Sequence, residues 1–404
     1  MTTDCGPRSV RQECRTYPGT KTHPLEKPKL AEGAGLYDNT AYKGERENVK
    51  DNIGDWRKKI DRIDSQIIKL LDSRTQCAVE IGKIKAATGA PVFDPKREAE
   101  VVERLTALAR IIPKKSLEAV YREIFSAARA VEKPLSVAFL GPLGTFSHEA
   151  AIALFGTSNE FKPLAGFAPI VKAVEGEECD FGVLPIESSV EGPVNANLDL
   201  LKDSSLTIFG EKTISAHQNL MSKSKEIKSI KRLYSHQQPL GQCRGYIQRV
   251  LPGVEILETS STAAAAEKAA KDKNAAAIGA LTAARIYKLN VLDKNIEDGA
   301  SGKTRFVVIS RTPPKRTGKD KTSIAVAIKN RPGELFRLLS LFNKAKINLT
   351  QIASRPLKAG AWGYLFFIDL DGHREEPAVE KTLKQVAKMG DFLKILGSYP
   401  KGNG

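Results

Sequence analysis

Arg74 and Lys85 stand eleven residues apart in the stretch RTQCAVEIGKIK, which at 3.6 residues per turn is close to three whole turns. The two cations therefore share a helix face. A guanidinium grips a carboxylate through two parallel N–H donors, whereas an ammonium acts as a point charge. Such a pair can hold a small dianion and stabilise negative charge developing on it; it can equally be a solvated helix surface. A few residues on, FDPKRE opens another helix, with Asp94 as N-cap, Pro95 at the first position and Arg97 and Glu98 in the first turn. Arg57 lies 17 residues before Arg74, roughly 25 Å along the axis and about 100° round it. No side chain spans that distance to a small molecule. Arg57 can join such a site only from another subunit.

The elements that must position these residues follow from hydrophobic periodicity. Trp56, Ile60, Ile63, Ile67, Leu70 or Leu71, Ala78, Ile81 and Ile84 recur at helical spacing from Ile53 until Thr88-Gly89 and Pro91 stop the pattern. At about 1.5 Å per residue this helix exceeds ~50 Å, longer than a small domain is wide. A second chain is expected to cover its apolar stripe. A second helix runs from Asp94 to Pro113 and a third from Ser116 to Glu132. Beyond Pro134 the pattern becomes alternating strands and helices, an α/β domain with two lobes around a cleft. GASGKT (Gly299–Thr304) imitates a phosphate loop, but the required first glycine falls at Glu297 and the segment leads into a strand. From Lys321 to Pro400 the order is βαββαβ, which is ferredoxin-like.

The totals bound the reading. A chain of 404 residues, 41% hydrophobic and 27% charged, suggests two or three domains. No apolar run is long enough to cross a membrane. Five scattered cysteines, with no metal-ligand spacing to the five histidines, point to a reducing, cytoplasmic setting and no structural metal. The net charge of +16 raises nucleic acid as a partner, yet the cations are dispersed among acids and no recognition motif accompanies them. Small dianionic substrates suit the same field. Residues 1–48 are rich in Gly, Pro, Thr and charge, without periodicity or a secretory h-region, and read as a disordered tail.

Trp56-Arg57-Lys58-Lys59-Ile60-Asp61, Arg74, Lys85 and FDPKRE together resemble the AroQ chorismate mutase family over residues 49–133. The resemblance implies an all-α, intertwined homodimer that rearranges chorismate to prephenate without a nucleophile. It implies that Arg57 and Arg74 hold carboxylates, that Lys85 and Glu132 face the ether oxygen, and that Asp94, Arg97 and Glu98 close the ring-hydroxyl side. The family's hydroxyl residue in the third helix is Ala128 here. In the same way GPLGTFS, GVLPIE, YSHQQPLGQC and TRF, in that order, resemble prephenate dehydratase over residues 134–312. That family has a bilobed fold like periplasmic binding proteins and needs no cofactor. The implied acid or hydrogen-bond donor is Thr304, with Arg305 beside it, and the implied cleft residues are Ser147, Glu187, Ser189, His217, Gln238 and Gln242. Three family positions differ: Ser188 and Gly302 stand where asparagines are usual, and Asn197 where a threonine is.

NRPGELF and IASRP resemble the ACT regulatory domain, placed at residues 320–400. The implied effector is phenylalanine, and the residues implied for it are Asn330, Gly333, Leu335, Ser354 and Arg355, with Ala353 replacing the family's glutamate. The order of the three resembles the P-protein family, a bifunctional phenylalanine-biosynthesis arrangement under feedback control. A second reading keeps the mutase and makes the altered dehydratase-like part a weakened or non-catalytic ligand sensor.

Overall fold

The computed structural model describes residues 53–356 and 363–402; the expected tail lies outside them. The chain divides into a unit ending at Ile67 and one beginning at Ile68. One helix, α1 (Ile53–Thr88), extends through both. In the first unit Trp56, Ile60, Ile63 and Ile67 are exposed despite their helical spacing. The second unit contains the rest of α1, then α2 (Pro95–Leu108) and α3 (Lys114–Glu132). Asp94 caps α2 as expected, its carboxylate accepting from Arg97 N at 3.1 Å.

Two sheets follow. β1 (Ser136–Leu140), α4 (Phe146–Phe155), β2 (Glu160–Leu164), α5 (Phe167–Glu175), β3 (Phe181–Ser188), the short β4 (Gly192–Pro193), α6 (Asn195–Asp203) and β5 (Thr207–Ala216) build the first lobe. The chain then crosses at His217 and Gln218 into the second lobe. There β6 (Asn219–Ser222), β7 (Arg232–Ser235), α7 (Gln237–Gln242), α8 (Arg244–Val250), β8 (Glu255–Glu258), α9 (Thr262–Ala270), β9 (Ala275–Gly279), α10 (Leu281–Ile286) and β10 (Asn290–Asp293) are laid down. It returns through residues 294–301 to β11 (Gly302–Ser310) of the first sheet. The strand orders are β2-β1-β3-β11-β5, with β4 on β3, and β10-β6-β9-β7-β8. GASGKT ends in β11, so no helix N-terminus follows it.

The last segment forms β12 (Asp320–Ile328), α11 (Glu334–Lys344), β13 (Leu349–Pro356), β14 (Tyr364–Asp371), α12 (Pro377–Met389) and β15 (Phe392–Pro400), with sheet order β13-β14-β12-β15. One face of this sheet carries its own two helices. The other face places Ala325, Phe367, Leu396 and Tyr399 against Ile186, Leu198, Leu201 and Ile208 of the first lobe in a shared core.

Candidate active sites

Lys85 reaches from α1 to α3. Its ammonium donates to Glu132 Oε2 at 2.8 Å and to the Val92 carbonyl at 3.0 Å. Gly82, one turn earlier, permits this approach: a Cβ there would lie 3.0 Å from Glu132 Cγ. Arg74 packs its guanidinium over the Phe125 ring at 5.4 Å. The charge of Lys85 also acts on Asp94 and Glu98. Burial would raise the Asp94 carboxyl, but the Arg97 N–H, Lys315 and Lys85 outweigh it and hold it below its usual range.

Two expected ring-side groups take other duties. Glu98 ion-pairs with Arg129, a buried α3 residue that also donates to the Phe155 carbonyl at 2.7 Å and lies over Phe93 at 4.7 Å. Burial pushes the Glu98 carboxyl up, and Arg129 pulls against it. Arg97 turns to solvent and pairs with Glu100 at 3.6 Å. Helix geometry explains the difference, since consecutive residues stand 100° apart and Arg97 and Glu98 cannot face the same way. Lys85, Glu132, Asp94 and Glu98 therefore form one polar group, which Arg97 does not join. Arg57 is exposed in the first unit.

A cleft of about 240 Å³ is lined from both lobes. Thr145, Phe146 and Ser147 come from the start of α4, whose cap is the Thr145 hydroxyl, accepting from His148 N at 3.3 Å. Thr304, Ser188, Gly302 and Ala216 come from the first sheet, and Gln218, Gln238 and Gln242 from the crossing and α7. Strand register selects the sheet residues. Thr304 pairs with Ser188 across β11 and β3, and Arg305 with Glu187. Side chains alternate faces along a strand, so Thr304 and Ser188 face the cleft while Arg305 and Glu187 face away from it.

Arg305 is thus not a cleft residue. It lies against the sensor sheet, ion-paired with Asp369 and Glu211 and donating to Gln351 Oε1 at 2.6 Å. Glu187 stays on that side, 3.5 Å from Arg305. Ser189 is spent on the backbone, its hydroxyl accepting from Lys303 N at 2.8 Å. His217 contacts Glu297 at 2.8 Å and is absent from the cleft lining. Burial would raise Glu297, yet its own N–H, His217 and the Gln218 N–H hold it down. Gln218 and the Ser260-Ser261-Thr262 turn were not legible as site residues. Only the polar interruption of an apolar strand in AHQNLM hints at the glutamine.

In the last segment, Gly333 sits at φ +85° at the start of α11, where a Cβ is disfavoured, beside exposed Asn330 and Leu335. Alternation along β13 splits the expected Ser-Arg pair. Ser354 is exposed, whereas Arg355 turns to the first lobe and pairs with Asp199 at 2.6 Å and the Asn195 carbonyl at 2.6 Å. Arg355 is therefore not free to join the Asn330–Leu335 loop. Among the described residues no helix is long and apolar enough to cross a membrane.

Three family models match the chain in consecutive segments. Models described as chorismate mutase type II, prephenate dehydratase and ACT domain match residues 56–133, 137–314 and 322–388. A bifunctional chorismate mutase/prephenate dehydratase of Aquifex aeolicus is 43% identical over 356 residues, covering 87% of this chain and 98% of that one. One of Pseudomonas aeruginosa is 38% identical over 359 residues, with the same coverage. The solved prephenate dehydratase of Arthrobacter aurescens, in complex with L-Phe, superposes with a TM-score of 0.60 at 34% identity, covering 66% of this chain and 90% of that one. Matching in all three segments, in their order and over nearly the whole length of its relatives, the chain belongs to the bifunctional chorismate mutase/prephenate dehydratase family.

Proposed function

We propose that residues 49–133 rearrange chorismate to prephenate, that residues 134–312 convert prephenate to phenylpyruvate, and that residues 320–400 bind phenylalanine and restrain the second step. The carrying observation is the two-lobed cleft that brings Thr304, Ser147, Gln238 and Gln242 together, with Lys85 and Glu132 in contact at a separate helical site. In the first reaction one carbon–oxygen bond breaks and one carbon–carbon bond forms within the substrate. Cations and a donor at the ether oxygen suffice to lower the barrier. Arg74 and the Arg57 of a second copy hold the carboxylates, and Lys85 meets the oxygen. The exposed apolar side of α1 supports a homodimer as the working form.

In the second reaction the carbon–carboxylate bond breaks, its electron pair enters the ring, and the carbon–hydroxyl bond opposite releases hydroxide as the ring becomes aromatic. Thr304 donates a hydrogen bond to the departing oxygen, which leaves as hydroxide and takes its proton from solvent. The first turn of α4 offers free N–H groups to a substrate carboxylate. Phenylalanine occupies the Asn330–Leu335 turn with Ser354. Cysteines with no disulfide among the described residues suit a cytoplasmic enzyme. Separate assays with chorismate and prephenate test the reading: both should turn over, and phenylalanine should slow only the second. Turnover of chorismate alone would leave the non-catalytic sensor reading in its place.

A further inference from the structure

Gln218 is the residue on which the chain passes from the first lobe to the second, and it is 2% exposed. Its backbone is fixed twice: its N–H donates to Glu297 Oε2 at 3.0 Å and its carbonyl accepts from Ile296 N at 2.9 Å. Its side chain is fixed once, Nε2 donating to Gln242 Oε1 at 3.2 Å. The remaining side-chain atom, Oε1, is buried and meets no donor among the described residues. A buried amide oxygen without a partner is unfavourable and uncommon in folded proteins. Here it belongs to a residue that lines the cleft together with Thr304.

An oxygen held in this way suits a ligand that brings a hydroxyl donor. We infer that Gln218 is a substrate-binding residue of the dehydratase cleft, its Oε1 accepting a hydrogen bond from the ring hydroxyl of the bound dicarboxylate. This inference rests on the dehydratase reading. The contact orients the carbon–oxygen bond that must break and leaves the hydroxyl's lone pairs facing Thr304. Because Gln218 and its partner Glu297 lie in the two crossings between lobes, the ligand also fastens the hinge at the moment it is recognised.

Gln218→Met keeps the side-chain volume and removes the amide. The test compares two ring-saturated prephenate analogues, unable to aromatise, one with the ring hydroxyl and one without. Calorimetry on the full-length parent should show the hydroxylated analogue binding about tenfold tighter, the value of one buried hydrogen bond. The Gln218→Met protein should bind the two alike, while its chorismate turnover and unfolding temperature match the parent. Equal preference in parent and variant, with the parent turning over prephenate, would overturn the role of Gln218 alone. A parent that binds neither analogue and does not turn over prephenate would remove the dehydratase reading and this inference together. A variant that also lost chorismate turnover would be replaced by Gln218→Leu, read on the same preference.

Discussion

The Arg305 guanidinium forms an ion pair with Asp369 of the sensor sheet, one residue after Thr304 faces the opposite way into the cleft. Lys321, Glu211, Gln351 and Ser323 complete a buried polar cluster around them, with Tyr399 hydrogen-bonded to Ser323 at 2.7 Å. Removing one side of a buried pair strands the other charge, which costs about 3–5 kcal/mol. Arg305→Met is therefore expected to lower stability by that order, and Arg305→Met with Asp369→Leu by less than the sum of the two single changes. Denaturant unfolding of the four proteins measures the difference. Phenylalanine inhibition should weaken in Arg305→Met even where dehydratase turnover survives.

Arg355 reaches from the sensor in the other direction, to Asp199 on α6. Asp199→Asn keeps the shape and removes the charge. Phenylalanine should still bind this protein, since the exposed loop at Asn330–Leu335 is untouched, but its effect on prephenate turnover should fall several-fold. Binding by calorimetry beside inhibition curves reads the two separately, as coupling requires. Loss of both together would place Arg355 at the effector itself.

Lys85→Ala should reduce chorismate turnover by about 10²–10³-fold, the loss seen when one donor to a developing oxyanion is removed, while prephenate turnover stays at the parental rate. Gly82→Leu should reduce the same activity for a steric reason, because its side chain would enter the space of Glu132. Steady-state rates with each substrate measure the losses, and unfolding temperatures distinguish the two variants, since the Gly82 change should also lower the unfolding temperature.

His148 stacks on Phe139 at 4.7 Å, its Nδ1 accepts from Gly144 N at 3.2 Å, and burial lowers its pKa from 6.5 to about 4. The unfolded ring binds a proton at a higher pH than the folded one. Stability is therefore fully present above about pH 6.5 and is lost as the pH falls through about 4, up to about 3 kcal/mol. His148→Asn keeps an acceptor for Gly144 and removes the titration. Its unfolding free energy should start lower and change less between pH 6.5 and 4.

Periodicity locates the long helix, the βαββαβ segment and the two-lobed middle because each depends on apolar spacing within one element. It places Asp94 as a cap for the same local reason. What it misses lies in relations between elements. That Thr304 and Arg305 face opposite ways follows from β pleating, but which way each faces depends on where the sensor sheet docks. Alternation likewise separates Ser354 from Arg355 on β13. Glu98 reads toward a substrate in the sequence because its partner Arg129 is 31 residues away on another helix, and Gln218 stays hidden because an unpartnered oxygen exists only after its neighbours are in place.

Trp56, Ile60, Ile63, Ile81 and Ile84 remain open to solvent on α1 in a single chain. Under the proposed function the two chemistries belong to different species. The cleft between lobes is complete in each polypeptide, so its output per molecule should be indifferent to dilution. On the proposed reading the helical site borrows Arg57 from a second copy, and its output per molecule should then decline once the enzyme is diluted below the concentration at which copies part.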